Sequence, residues 1–365
     1  MRILLLSAYD AMSHRYWRQG LVQAFPEHQW TVLSLPPRYF AWRIRGNSLS
    51  WAFNERATLE QPYDLIVATS MVDLTGLKGL VPALANTPTL VYFHENQFAY
   101  PESDHAVKSV EPRVLNLYNA LAADRVVFNS TFNRRTLLEG ARQLLHKLPD
   151  QVPPNLVALI EQKTEVIPVP LPAEVFCPSK PSTGPLKLVW NHRWEYDKGP
   201  ELLKAAVEQM LSNNLDFKLH LVGQQFRHTP KVFEDIKQLL EQHQKLGRWG
   251  HIESVQEYRA LLQGSDAVLS TALHDFQGIA VLEGVAAGCT PVVPDRLAYR
   301  ELFAEEYRYS EQDEAISLTK TLEQLAALKE AGQALPCPDI EHLGWNALRP
   351  QYARAFNESV MQQSR

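Results

Sequence analysis

The stretch DAVLSTALHDFQGIAVLEGVAAG, residues 266–288, decides how this chain is read. A short apolar run gives way to a polar loop. From Gly278 the apolar positions recur at helical spacing, and small residues close the segment at Gly288. TPVVP, residues 290–294, then supplies another short apolar run. Strand, loop, helix and strand in that order form the repeating unit of a parallel α/β sheet. Two acids, Asp275 and Glu283, stand eight residues apart in it with Gly278 between them. A lone acid there reads as an ordinary helix-end charge; a pair flanking a glycine at a helix start suggests a pocket.

The same alternation extends in both directions. LKLVWNHR (186–193), DFKLHLVG (216–223) and GRWGHIE (247–253) precede it as strands. The N-terminal half offers RILLLSA (2–8), WTVLSL (30–35), LIVATS (65–70), TLVYFHE (89–95), RVVFNS (125–130) and TEVIPVP (164–170). Segments such as 16–25 and 113–123 carry apolar residues at helical spacing between them. PVPLPAEVFCPSKPSTGP (168–185), rich in proline, serine and glycine, has the composition of a linker. The expectation is an α/β protein of two Rossmann-like domains, residues 1–172 and 173–345, facing each other across a cleft. A C-terminal helix over 346–365 would cross back. One long α/β domain is the alternative.

Composition narrows the classes. With 45% hydrophobic and 21% charged residues, the 365-residue chain builds full cores without disulfides or metal. A net charge of −5 provides no global basic field, so nucleic-acid binding would depend on a local patch. Three widely spaced cysteines, Cys177, Cys289 and Cys337, fit neither a disulfide framework nor a zinc knuckle. The apolar start MRILLLSAYD is too short for a signal peptide, and no run reaches the ~18 residues of a spanning helix. A cytoplasmic protein without membrane attachment is expected.

Two stretches carry chemistry. WNHRWEYDKGPELLKAA (190–206) places Arg193 and Lys198 in a loop after a strand, with Pro200 opening the next helix. Ligands bind at that end of open α/β sheets, and a guanidinium fork with a mobile ammonium suits a diphosphate. A solvated loop with two incidental cations is the alternative. In 266–288, the helix start at Gly278 and Ile279 suits phosphate, and Glu283 suits the vicinal hydroxyls of a ribose. Asp275 suits sugar hydroxyls, against its plainer reading as a helix cap. The four groups together favour a nucleotide sugar.

HDFQGIAVLEGVAAG resembles the acid-x7-acid motif of retaining glycosyltransferases of the GT-B fold, family-4 type, and HRWEYDKG resembles their diphosphate-binding Arg and Lys. The first acid of that motif is usually Glu; here it is Asp275. SAYDAMSHRYWRQGL (7–21), LPPRYFAWRIRGNSLSWA (35–52) and YFHENQFAYP (92–101) are similar to the tRNA-queuosine α-mannosyltransferase family. Over about residues 1–305 this resemblance implies GDP-mannose as donor and the cyclopentene hydroxyl of queuosine in a tRNA as acceptor. It implies that His94 faces the transferred sugar and that Ser13 and His14 help to bind the donor. Glu95 and Gln97 of FHENQ are expected near the acceptor. Ala11-Met12 stand where that family has Gly-Gly.

PRYFAWRIRG (37–46) interleaves Arg38, Arg43 and Arg45 with Tyr39, Phe40 and Trp42, a pattern able to engage phosphates and stack on unpaired bases. Buried aromatics with solvated arginines are the alternative; NRRTLLEGARQLLHK (133–147) adds further cations. No DxD-type pair suggests a metal bridge, so no metal or cofactor beyond the nucleotide sugar is expected. Arg193 and Lys198 would meet the charge that builds on the leaving phosphate. No carboxylate nucleophile stands out, and the resemblance implies front-face attack. His94, Arg193, Lys198 and Asp275 are the expected catalytic set. Other readings are a GT-B enzyme with a glycan or lipid-linked acceptor, a nucleotide-sugar epimerase or phosphorylase, and a non-catalytic tRNA-binding protein.

Overall fold

A computed structural model describes residues 1–100, 109–177, 183–226 and 229–361. The centre of the expected linker, 178–182, and the end of the expected C-terminal helix, 362–365, lie outside the described residues. The chain divides into two compact units, one of Met1–Pro170 with Trp345–Arg365 and one of Leu171–Gly344.

Each unit is built on a six-stranded parallel sheet. The first runs in the order β2-β1-β3-β4-β5-β6, from β1 (Arg2–Ser7), β2 (Gln29–Ser34), β3 (Leu65–Thr69), β4 (Thr89–Phe93), β5 (Arg125–Phe128) and β6 (Thr164–Val166). The second runs β12-β11-β10-β7-β8-β9, from β7 (Leu186–Trp190), β8 (Phe217–Val222), β9 (Leu246–Gly250), β10 (Ala267–Leu269), β11 (Thr290–Pro294) and β12 (Arg308–Tyr309). Central strands such as Ile3–Leu6 and Leu65–Ala68 are fully buried, which is why they read as continuous apolar runs rather than alternating ones. Only β12 has no precursor in the sequence reading, because two residues carry no period.

Several strands end sooner than their apolar runs. β4 stops at Phe93 and leaves His94 and Glu95 beyond the sheet; β7 stops at Trp190 and frees the segment from Asn191 onward. Those overhangs carry the polar residues of interest.

The C-terminal helix, Trp345–Met361, belongs to the first unit and packs against β3 and β4. Its Tyr352 donates its hydroxyl to the Pro168 carbonyl at 3.0 Å and accepts the Trp17 indole N–H at 3.0 Å. Trp17 lies on α1 (Met12–Ala24) and stacks on Tyr92 with centroids 4.4 Å apart. The end of the chain thereby covers a sheet face that would otherwise expose aromatic surface.

Candidate active site

In the second sheet β7 lies between β10 and β8, so the chain reverses its direction of growth between β7 and β10. Loops leaving the carboxyl ends of two such strands diverge and leave room for a ligand. The loop after β7 carries Arg193 and Lys198; the loop after β10 carries Asp275 and Gly278.

The two loops are fastened to each other. A short turn, Tyr196–Lys198, ends at Gly199, whose φ of +63° favours glycine and where a Cβ would strike the Thr271 carbonyl oxygen. Thr271 Oγ1 donates to the Lys198 carbonyl at 2.7 Å and accepts the Trp190 indole N–H at 3.0 Å. Leu273 and His274 donate their backbone N–H groups to the Asp197 carbonyl at 2.9 and 3.1 Å.

Lys198, only 8% exposed, donates from Nζ to the His274 carbonyl at 2.7 Å. It lies 3.4 Å from Asp275 Oδ2 and 3.5 Å from Asp197 Oδ2. Asp275 Oδ1 accepts the Gly278 N–H at 2.9 Å, so one carboxylate ties the ammonium to the helix start. Burial raises the Asp275 pKa, but the Lys198 charge, the neighbouring histidines and the Gly278 N–H together outweigh it and hold the acid at about 2. Gly278 is the N-cap of the Ile279–Ala286 helix, with φ +74°, and as a glycine it brings no capping side chain of its own. Arg193 pairs with Glu195 at 2.6 Å and approaches Asp197 Oδ2 at 3.7 Å. Both cations therefore already face carboxylates, and a diphosphate would bind by exchanging those oxygens for its own.

Glu283 sits on the same helix, where burial pushes its pKa up to about 7 against the opposing pull of the Tyr258 hydroxyl and Arg259. His192 is buried and its Nε2 faces the Leu269 carbonyl at 3.2 Å; burial, then the nearby Lys198 charge, lowers it to about 4. It acts as packing beneath the loop.

In the first unit, β1 lies between β2 and β3, and the loops after β1 and β4 bring two histidines together. His14 and His94 have ring centroids 4.3 Å apart. His14 faces two acceptors, the Tyr9 carbonyl at 2.6 Å from Nδ1 and Glu95 Oε2 at 3.0 Å from Nε2. Burial lowers its pKa, yet Glu95 and the other acceptors raise it on balance. His94 moves the other way, well below the usual imidazole value, through burial and then the His14 charge. Its Nε2 is buried without a hydrogen-bond partner among the described residues, while Asn129 pins its backbone carbonyl at 2.8 Å. The two rings thus stand side by side with their pKa values pushed in opposite directions. Glu95 Oε1 also accepts the Ser70 hydroxyl at 3.2 Å, and Gln97 donates its N–H to Asn116 Oδ1 at 2.8 Å. Ser13 is exposed in the first turn of α1. Ala11 has φ −62°, a conformation any residue adopts, so the helix start here does not require glycine.

The 37–46 stretch does not present its arginines as one set. Arg38 lies over the Tyr39 ring at 5.7 Å, and Trp42 is 56% exposed on α2 (Phe40–Asn54). Arg43, in contrast, is 9% exposed, and Arg45 is engaged by Asp73 at 3.1 Å and by Glu111. Sequence pattern alone treats the three arginines as equivalent surface cations; burial and ion pairing separate them.

Sequence reasoning passed over Asp197, Tyr258 and Tyr299. Asp197 is 2% exposed beside both cations, and its only signal was an acid immediately before Lys198. Tyr299 closes over Gly278, where a Cβ would lie 2.7 Å from its ring, and its hydroxyl donates to Asp275 Oδ2 at 3.4 Å. Among the described residues no group of three or more His, Cys, Asp or Glu side chains is placed to hold a metal ion, and no helix is long and apolar enough to cross a membrane.

Comparison with known proteins adds to this geometry. Residues 2–171 match the family model described as tRNA-queuosine alpha-mannosyltransferase N-terminal, and residues 177–335 match that of glycosyl transferases group 1. The Drosophila melanogaster tRNA-queuosine alpha-mannosyltransferase is 31% identical over 98% of this chain and 97% of its own. Among solved structures, a sucrose-phosphate synthase from Thermosynechococcus elongatus superimposes with a TM-score of 0.70 at 17% identity, covering 98% of this chain and 99% of that one. Anabaena HepE in complex with UDP gives 0.65 at 14% identity, covering 98% of this chain and all, 100%, of that one. These two show the fold, which is the GT-B architecture.

Proposed function

The chain belongs to the tRNA-queuosine alpha-mannosyltransferase family, and from that premise we propose that it moves mannose from GDP-mannose onto a cyclopentene hydroxyl of queuosine in a tRNA. The broader class is settled by the family: the protein is a glycosyltransferase. The observation that supports a diphosphate-bearing donor is the chain of contacts from Lys198 Nζ through Asp275 to the Gly278 N–H; mannose, guanine and queuosine rest on the family alone.

In this reading the diphosphate meets Arg193, Lys198 and the helix start at Gly278 and Ile279, and Glu283 accepts from the ribose. Asp275 contributes to the sugar end, and in the first unit His94 and His14 with Ser13 serve the sugar and donor. The bond from the anomeric carbon to the phosphate oxygen breaks as the acceptor oxygen bonds that carbon on the same face. The acceptor proton passes to the departing phosphate, and GDP leaves. Negative charge grows on the phosphate during this step, so cations and N–H dipoles fixed beforehand lower the barrier. Lys198 shares its charge with two acids before substrate arrives; phosphate oxygens compete with them most strongly as their charge increases. On the acceptor side, exposed Arg38 and Trp42 offer a phosphate contact and a stacking face, with Glu95 and Gln97 nearby in sequence to the β4 overhang.

Incubation with GDP-mannose and queuosine-containing tRNA, followed by nucleoside mass analysis, tests the proposal. A gain of one hexose on queuosine, absent from tRNA lacking the modification, is expected. Transfer from another nucleotide sugar only, or no dependence on queuosine, would overturn it.

A further inference from the structure

Glu283 is held by a relay of hydrogen bonds that the donor chemistry does not itself demand. Tyr258, on the Val255–Gln263 helix, donates its hydroxyl to Glu283 Oε2 at 3.0 Å. Asn191, immediately past β7, donates from Nδ2 to that phenol oxygen at 2.9 Å and to the Ala280 carbonyl at 2.8 Å. The direction of each bond follows from the last. A backbone carbonyl only accepts, so Ala280 obliges Asn191 to present its NH2 group on that side. The same NH2 group occupies the acceptor side of the Tyr258 oxygen, and the phenol proton is left pointing at Glu283. Ala280 is three residues before Glu283 on one helix, which closes the relay on the element that bears the acid.

We propose that Tyr258 is a positioning residue for nucleotide recognition: with Asn191 it fixes the Glu283 carboxylate so that Oε1 is aimed at the vicinal hydroxyls of the donor's ribose. The proposal rests on the reading of Glu283 as the ribose contact. Oε1 has no hydrogen-bond donor among the described residues, whereas Oε2 is committed to Tyr258. A carboxylate free to rotate in a half-buried place would lose part of its binding energy to ordering; one already anchored at a single oxygen does not. The relay also bears on charge. The groups acting on Glu283 are the Tyr258 hydroxyl and the Arg259 guanidinium, both from the Val255–Gln263 helix, and both oppose the upward push of burial. Removing the hydroxyl therefore raises the pH at which Glu283 ionises.

The test uses the full chain and its Tyr258→Phe variant, which keeps the ring. Binding of ADP, CDP, GDP and UDP is measured by calorimetry from pH 6 to 9, each beside its 2′-deoxy counterpart, with inorganic pyrophosphate as a probe of the cationic end alone. For whichever base binds best, the wild-type protein is expected to favour the ribonucleotide by about tenfold. The variant is expected to lose about tenfold for the ribonucleotide, less than twofold for the deoxynucleotide and nothing for pyrophosphate. Its binding should also improve at a higher pH than that of the wild type. An unchanged ribose preference and pH midpoint in the variant overturn the role of Tyr258 while leaving Glu283 as the ribose contact. No ribose preference in the wild type overturns the reading of Glu283 and the relay with it. Loss of pyrophosphate binding as well, or failure of the variant to fold, makes Tyr258 a structural prop and overturns the proposal.

Discussion

The ammonium of Lys198 lies 3.4 Å from Asp275 Oδ2, across 77 residues of sequence. The other oxygen of that carboxylate receives the Gly278 N–H, so the acid is a bridge between a side-chain cation and a helix start. The position of the ammonium therefore depends on Asp275, on Asp197 and on the His274 carbonyl together.

Replacement of Lys198 by Ala should lower kcat by about 10²–10³-fold, the effect of deleting one preorganised donor at a developing anion. It should also destabilise the protein, because Asp197 and Asp275 lose their cation in a buried place. Single-turnover release of nucleoside diphosphate, read beside a thermal melt, separates the two effects. A turnover number within twofold of wild type excludes Lys198 from the chemistry.

Glu283 predicts a pH-dependent stability. Its pKa in the fold is about 7 against an ordinary 4.5, so the folded protein holds a proton there that the unfolded chain releases. The stability this contributes is complete below about 4.5 and lost as pH rises through about 7. Glu283→Gln removes the dependence. The melting temperature of the variant relative to wild type should rise from pH 5 to pH 8 without ligand; a constant difference contradicts the burial argument.

Gly278→Ala should weaken nucleoside diphosphate binding and cost about 1–3 kcal/mol of stability. An L-residue is strained at φ +74°, and its Cβ would meet the Tyr299 ring at 2.7 Å. Denaturant midpoints and nucleotide titration report both. A variant as stable and as tight as wild type shows that the helix start tolerates a side chain.

Trp42 and Arg45 should separate in their effects although they are three residues apart. Trp42→Ala should raise the tRNA KM by about tenfold with the donor KM unchanged, the loss of one stacking face. Arg45→Ala should instead lower thermal stability, since its guanidinium is occupied by Asp73 and Glu111. Equal rises in tRNA KM for both variants would mean that these ion pairs open on RNA binding.

Tyr352→Phe should destabilise the first unit by about 1–3 kcal/mol, leaving the Trp17 indole N–H buried without its acceptor. Urea unfolding monitored by tryptophan fluorescence measures it. A change below 0.5 kcal/mol, roughly the scale of a neutral surface substitution, means that another acceptor replaces the phenol.

Much of the fold was legible because parallel strands covered on both faces are written as plain apolar runs. Ile3–Leu6 and Leu188–Trp190 could be marked without knowing their neighbours. Strand ends were less so: His94 looked like the end of a run, and only the hydrogen-bond ladder places it past the sheet. Arg193, Lys198, Asp275, Gly278 and Glu283 stood out because their types and spacing match a chemistry. Asp197 and Tyr258 did not, since an acid beside a lysine and a tyrosine on an amphipathic helix have no distinctive spacing.

By itself the sequence determined the alternation of strands and helices and the chemical types at the loop ends, because burial and backbone preference act within a few residues of the chain. Tertiary structure decided which arginines remain exposed, which carboxylate keeps its proton near neutrality and which carboxylates hold the ammonium. Those properties depend on distance and desolvation. Lys198 and Asp275, or Asn191 and Tyr258, acquire them only when the sheet brings separate loops within hydrogen-bonding reach.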